Sequence, residues 1–203
     1  GGWLAGRDHA NLTHELSGRL IGIVGMGAVG RQVAEIAGKG FGLEVLGNSR
    51  SSAGFPDFVR FAGVDEIATA SDIVVLACPL TPETTGLMNA ARIAAMKPGA
   101  ILVNVSRGPV VDDRALIAAL AGGRLLGAAL DVFSTQPLPA DHPYFGFDNV
   151  IVTPHMAGIT EESMMRMGVG AAEEALRILR GDLPLNLRNP EAEAAYRRRF
   201  APS

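Results

Sequence analysis

The chain has 203 residues, of which 48% are hydrophobic and 19% charged, a globular composition with material for one sizeable core or one domain and part of another. Its formal net charge of −3, with Arg197-Arg198-Arg199 as the only run of basic residues, argues against a nucleic-acid partner, because a phosphate backbone demands a basic face. No apolar run approaches the ~18 residues of a membrane span and the start lacks the pattern of a signal peptide, so the reading is of a soluble, cytoplasmic protein with no membrane partner.

Residues 1 to 16 show no strand pattern. From Leu20 to Val24 the chain is apolar throughout, as a parallel strand covered on both faces should be. It runs into Gly25-Met26-Gly27-Ala28-Val29-Gly30, the spacing G-x-G-x-x-G, and then into a segment that can wind as a helix to about Gly38. This is a dinucleotide-binding signature. Gly25 makes the turn, Gly27 lets backbone N–H groups approach a pyrophosphate, and Gly30 lets the helix pack closely on the sheet. The phosphates are expected on unpaired N–H groups around Ala28 and Val29, at the positive end of the helix dipole.

A second strand is expected over about Glu44 to Gly47, followed by Asn48-Ser49-Arg50-Ser51, where such a fold meets the adenosine ribose. An NAD-selective site places a carboxylate there for the 2′-hydroxyl. Here Ser49 stands without a neighbouring acid and Arg50 follows, so the charges favour NADP over NAD.

A helix is predicted around Val64 to Ala70, then a strand from Ile73 to Ala77 ending in Pro79-Leu80-Thr81-Pro82, a fixed loop at a strand's C-terminal end. A helix near Ala90 to Met96 stops at Lys97-Pro98-Gly99, a strand spans Ala100 to Val105, and a helix over Asp113 to Ala121 has Asp112 or Asp113 as N-cap and Gly122-Gly123 at its end. Strands over Leu125 to Val132 and Val150 to Thr153 complete an alternation that argues a doubly wound α/β fold, a Rossmann-like parallel sheet.

Thr160 caps a long helix to about Arg180, whose Met165, Val169, Ala172, Leu176 and Leu179 form one apolar stripe, read as facing a core. Gly181 ends it, and the tail beyond Pro184 is read as loosely held. Cys78 is the only cysteine, read as a buried apolar residue rather than a reactive thiol, and the four histidines have no metal-ligand spacing with it, so no metal is expected.

Four polar groups fall where strands of this sheet should end: Arg107, Asp131, Gln136 and His155. The guanidinium of Arg107 has the planar fork to hold a carboxylate bidentately. An imidazole such as His155 can give a proton to a developing alkoxide and take it back in reverse. Asp131 is placed to hold the carboxamide of a nicotinamide ring.

Taken together, Val24 to Gly30, Cys78 to Thr84, Met96 to Ala100, Asn104 to Asp112, Ala129 to Phe133 and Thr153 to Gly158 resemble, in order, the nucleotide-binding domain of the D-isomer-specific 2-hydroxyacid dehydrogenases. The resemblance implies that Arg107 binds the substrate carboxylate, that His155 is the acid/base, and that Asp131 lies beside the nicotinamide. It implies that Pro79, Val105 and Ser106 line the cofactor cleft, with Thr84, Gly158 and, beside their roles toward the substrate, Arg107 and His155 among the cofactor-binding positions of their motifs. The family's adenosine-site aspartate matches Ser49, and Ser49-Arg50-Ser51 is similar to members preferring NADP, such as glyoxylate and hydroxypyruvate reductases.

Gln136 stands where most members carry the glutamate that pairs with the histidine; a glutamine orients the ring but offers no charge, so reduction is expected to need a lower pH than in Glu-bearing relatives. The formate dehydrogenase branch, which also has glutamine there, is one alternative, and a nucleotide-sensing binding protein without turnover is another. The resemblance further implies an organisation of residues 1–16 as interdomain crossover and dimer arm, 17–159 as dinucleotide-binding domain, and 160–203 as return helix and tail belonging partly to a substrate domain. Only remnants of that second domain are then in this chain, which by itself is expected to be weakly active or inactive. A homodimer is expected, pairing through the segment around Trp3 to Leu16.

Overall fold

The computed structural model describes residues 13–200; the segment before Thr13, and with it most of the expected dimer arm, lies outside the described residues. The chain divides into two compact units, one running to Ala157 and one beginning at Gly158.

The first unit is built on a seven-stranded sheet: β1 (Leu20–Val24), β2 (Glu44–Asn48), β3 (Val59–Phe61), β4 (Ile73–Leu76), β5 (Ile101–Asn104), β6 (Gly127–Leu130) and β7 (Val150–Val152). All pairings are parallel and the order is β3-β2-β1-β4-β5-β6-β7, so the chain reverses its direction of travel between β1 and β4. In doubly wound sheets the crevice at such a switch point, outside the carboxyl ends of the strands, takes the ligand. The connecting helices are α1 (Ala28–Glu35, continued by a wider turn over Ile36–Gly40), α2 (Val64–Ala70), α3 (Ala90–Ala95) and α4 (Asp113–Ala121).

Ile23, Leu76 and Leu102 are fully buried in the middle of the sheet, as expected for strands covered on both faces. Asp112, not Asp113, caps α4, its side chain accepting from Ala115 N at 3.1 Å. The short strand β3 has no counterpart among the predicted elements. Only Val59 of its three residues is buried, while Arg60 and Phe61 are exposed, and three residues on a sheet edge are too few to show a period.

The second unit holds α5 (Glu161–Leu179), capped by Thr160 and Ser163 in a reciprocal pair, and α6 (Glu193–Arg199). Its apolar stripe does not face a core: no residue of α5 is buried, Met165 is 65% exposed and Leu179 79%, and Val169, Ala172 and Leu176 are also exposed. The periodicity marks an apolar face, but within this unit only the tail turns back, and it does so at the helix's C-terminal end. There Tyr196 Oη donates to Asp182 O at 2.8 Å, and Arg177 Nη2 donates to Leu183 O at 3.0 Å. The tail expected to be loose is therefore partly helical and tied down. Among the described residues no helix is long and apolar enough to cross a membrane.

Candidate functional site

The strand register brings the site's residues to one level. Asn48, Val24, Leu76, Asn104, Leu130 and Val152 are successive partners across the sheet, and each is the last residue of its strand. The ladder continues one residue further: Gly25 N donates to Asn48 O, Ala77 N to Val24 O, Val105 N to Leu76 O, Asp131 N to Asn104 O and Thr153 N to Leu130 O. The loops carrying Gly25, Pro79, Ser106, Arg107, Asp131 and His155 thus leave the sheet side by side.

The three glycines of the first loop differ in what a side chain would meet. A Cβ on Gly25, where φ is +102°, would lie 2.4 Å from Cys78 N, and one on Gly30 would lie 2.0 Å from Gly25 O. Both positions are fixed by the protein's own packing. A Cβ on Gly27 would meet nothing within 4 Å. Open space there, beside the N-terminus of α1, is what a bound pyrophosphate needs. Arg31 N is the first donor in the helical ladder, onto Gly27 O at 3.0 Å, and the N–H groups of Ala28 and Val29 precede it in the unpaired first turn. This donor set fits a dinucleotide phosphate.

At the adenosine end Ser49 is half-buried and Arg50 exposed, and Asn48 Nδ2 anchors the strand end on Ala62 O at 2.8 Å. In the loop after β4, the Thr84 hydroxyl donates to Pro79 O at 2.7 Å and accepts from Thr81 N at 2.7 Å. Thr84 thereby braces the loop that displays Pro79. Cys78 is buried behind it, and burial pushes its thiol up, away from reactivity, against the pull of its own N–H and the Ser106 hydroxyl.

Arg107 is displayed by Asn104, a role that chain order did not reveal. Asn104 Oδ1 accepts from Ser106 N and Ser106 Oγ at 3.0 and 2.8 Å, and Asn104 Nδ2 donates to Arg107 O at 3.1 Å. Asn104 and Ser106 are buried while Arg107 is exposed, one limb of its fork, Nη1, donating to Ser106 O at 2.6 Å. Its remaining donors meet no acceptor among the described residues, which leaves them for a carboxylate.

The loop after β6 packs directly on this turn. A Cβ on Gly108 would stand 2.0 Å from the Phe133 carbonyl carbon and 2.2 Å from Ser134 N, so only glycine allows the two backbones to meet. Asp113, at the start of α4, holds the same loop through both carboxylate oxygens, Oδ2 accepting from Ser134 Oγ at 3.2 Å and Oδ1 from the buried Tyr144 Oη at 2.8 Å. Burial, with the charge and hydrogen bond of Asp113 and the charge of Asp112, pushes the Tyr144 phenol far above its ordinary range, so it stays a donor.

That loop delivers Gln136, whose Oε1 lies 3.1 Å from His155 Nδ1. With the amide oxygen facing it, Nδ1 carries a proton and Nε2 is left to exchange one. His155 is exposed and has φ +55°, the only non-glycine residue with positive φ among the described residues. Its conformation is imposed from below by Asp131, which is 6% exposed. Asp131 Oδ1 accepts from Thr153 Oγ1 at 2.6 Å and Met156 N at 2.8 Å, and Oδ2 from Ala157 N at 3.0 Å. Burial raises the Asp131 carboxyl, but the bonds from Thr153, Ala157 and Met156 and the charge of His155 outweigh it, and the group stays ionised well into acid. Both oxygens are thus engaged by the turn that presents His155. A cavity of about 580 Å³ opens beside Gln136 and His155, walled by Phe133, Leu138, Phe145 and Pro154. Gly158 is the first residue of the second unit, its carbonyl accepting from Ser163 Oγ at 2.8 Å. Among the described residues no cluster of three or more His, Cys, Asp or Glu side chains could hold a metal.

Residues 1–157 match the family described as D-isomer specific 2-hydroxyacid dehydrogenase, NAD binding domain. Among curated proteins, a glyoxylate reductase from Aeropyrum pernix is 41% identical over 180 residues, covering 87% of this chain and 53% of that protein. A glyoxylate/hydroxypyruvate reductase B from Citrobacter koseri is 40% identical over 178 residues, covering 85% of this chain and 54% of that protein. The apo form of D-mandelate dehydrogenase from Rhodotorula graminis matches with a TM-score of 0.82 at 30% identity, over 89% of this chain and 55% of that one. The chain spans about half the length of the curated relatives it matches.

Proposed function

The chain belongs to the D-isomer-specific 2-hydroxyacid dehydrogenase family, whose NAD-binding domain it carries, and from that premise we propose that the protein containing it reduces a small 2-oxo acid to the D-2-hydroxy acid. The observation that carries this reading is the 3.1 Å contact between His155 Nδ1 and Gln136 Oε1, at the same C-terminal side of the sheet as Arg107. Arg107 holds the substrate carboxylate and so orients the 2-oxo carbon. His155 gives its Nε2 proton to the oxygen as the carbonyl is reduced, and Gln136 keeps Nδ1 protonated throughout. The nicotinamide supplies the hydride. Asp131 acts from beneath, holding the turn that places the imidazole, a role that its three hydrogen bonds favour over direct contact with the carboxamide. Ser49 in place of a ribose-binding carboxylate, with Arg50 beside it, supports NADP as the preferred cofactor over NAD.

The test is turnover by the full-length protein with glyoxylate and hydroxypyruvate, followed by loss of NADPH absorbance. Arg107→Met is expected to raise KM for the oxo acid by about 100-fold while cofactor affinity holds. Tight cofactor binding with no turnover on any 2-oxo acid points instead to the nucleotide-sensing alternative, which the reductase relatives do not favour. Pairing of two copies through the segment around Trp3 to Leu16 and a cytoplasmic location belong to the same proposal, and light scattering of the full-length protein checks the first.

A further inference from the structure

Arg31 lies in the first turn of α1, and its guanidinium does not extend along the helix. Nε donates back to Met26 O in the glycine loop at 3.0 Å. A Cβ built on Gly54 would stand 3.4 Å from both Nη1 and Nη2 and 3.7 Å from Cζ, so the open end of the fork lies against the loop that follows β2. That loop is folded towards Arg31 by its own sequence. Ser51 Oγ accepts from Ala53 N at 3.1 Å, Gly54 has φ +72°, and Phe55 packs over Gly47, where a Cβ would lie 2.8 Å from the Phe55 ring and 3.0 Å from Met26 Cγ. One side chain therefore spans the loop expected to hold the pyrophosphate and the loop expected to hold the ribose.

The charges at this edge give the span a purpose. Arg50 is close enough to Glu83 for its charge to act on that carboxyl, which is held below its ordinary range first by the Thr81 hydroxyl, then by its own N–H, and least by Arg50. Arg50 and Glu83 together are neutral, a poor match for a phosphate monoester of about −2 charge. Arg31 has no ion-pair partner among the described residues, and its Nη1 and Nη2 meet no acceptor there, although its Nε is already used.

We propose that Arg31 is a second cation of the adenosine subsite, clamping a 2′-phosphate from the helix side as Arg50 does from the strand side. The inference rests on the NADP reading above and assigns to Arg31 discrimination between the two cofactors as well as a strut's role. The full-length protein, its Arg50→Ala variant and its Arg31→Ala, Arg31→Gln and Arg31→Lys variants are titrated with NADPH and NADH by fluorescence. Arg31→Ala and Arg31→Gln are expected to lose roughly tenfold in NADPH affinity relative to NADH, the loss of one charge-assisted contact, and Arg31→Lys to keep most of it. Gln retains a donor for Met26 O without the charge, so it separates the strut from the cation. Equal loss for both cofactors, or an unchanged ratio in Arg31→Gln while Arg50→Ala abolishes the preference, overturns the inference and leaves the NADP reading standing. A wild-type protein with no preference for NADPH overturns both.

Discussion

Along β1 and β2 the cleft is shaped by side chains that are missing, whereas beyond β5, β6 and β7 it is shaped by side chains that hold one another. In the first region Gly25 and Gly30 let the protein's own backbone close up, Gly27 leaves open space, and the groups on offer are backbone N–H donors of α1. In the second, Asn104, Asp113 and Asp131 are buried or half-buried hydrogen-bonding hubs, and the groups they display, Arg107, Gln136 and His155, are exposed. A backbone site tolerates little change of shape but carries no proton chemistry. A side-chain site supplies that chemistry at the cost of a network in which each loop depends on the next.

The second region also relies on a missing side chain, at Gly108. Gly108→Ala forces the Phe133–Ser134 backbone away from the Arg107 turn, with an expected loss of about 3 kcal/mol in stability by denaturant melting and loss of turnover. Next is Asp131→Ala, which leaves Thr153 Oγ1 and the N–H groups of Met156 and Ala157 without their acceptor. About 2 kcal/mol of stability and most of kcat are expected to go, with cofactor affinity in the glycine loop retained. Because the Asp131 carboxyl is held below its ordinary value, its contribution is fully present above about pH 4 and fades as pH falls through the lowered value. Asp131→Asn should show a correspondingly flatter acid limb in a stability titration.

Gln136→Glu sharpens the contrast without disturbing the fold. A carboxylate at Nδ1 favours the protonated imidazole, so the pH at which reduction falls off should rise by about one unit, some 1.4 kcal/mol, with little change in melting. An unmoved pH profile would remove Gln136 from the proton path. Gly27→Ala has the smallest effect on stability, within about 0.5 kcal/mol, since a Cβ there meets nothing, yet it should weaken cofactor binding at least ~10-fold. Comparable losses in stability and binding would mean that the loop needs this glycine for itself.

The backbone-built region was the more legible of the two in the sequence. Glycine spacing, apolar runs and caps such as Asp112 and Thr160 are local, and local patterns survive in a linear string. Strand β3 escaped because three residues carry no period. The α5 stripe was legible as apolar but not as exposed, because a pattern says which face is oily and not what covers it. In the second region Arg107, Asp131, Gln136 and His155 stood out by type and place, while the hydrogen bonds that hold them did not. Asp113 to Tyr144 spans 31 positions and Asp131 to Ala157 spans 26, and nothing in a string marks such pairs. The place of Arg31 is illegible for a related reason: helical position puts it on a surface, and only the fold of the Ser51–Phe55 turn brings a second loop to it.

The left-handed backbone at His155 bears on how this site should be probed and how it can drift. Most L-residues lose about 1–2 kcal/mol in that conformation, and asparagine is among the few that accept it. An alanine or valine at 155 would therefore mix a chemical deletion with a bent turn, whereas His155→Asn removes the imidazole and leaves the turn at ease. The same asymmetry puts loss of the imidazole with an unstrained turn a single base change away, since histidine and asparagine codons differ at one position.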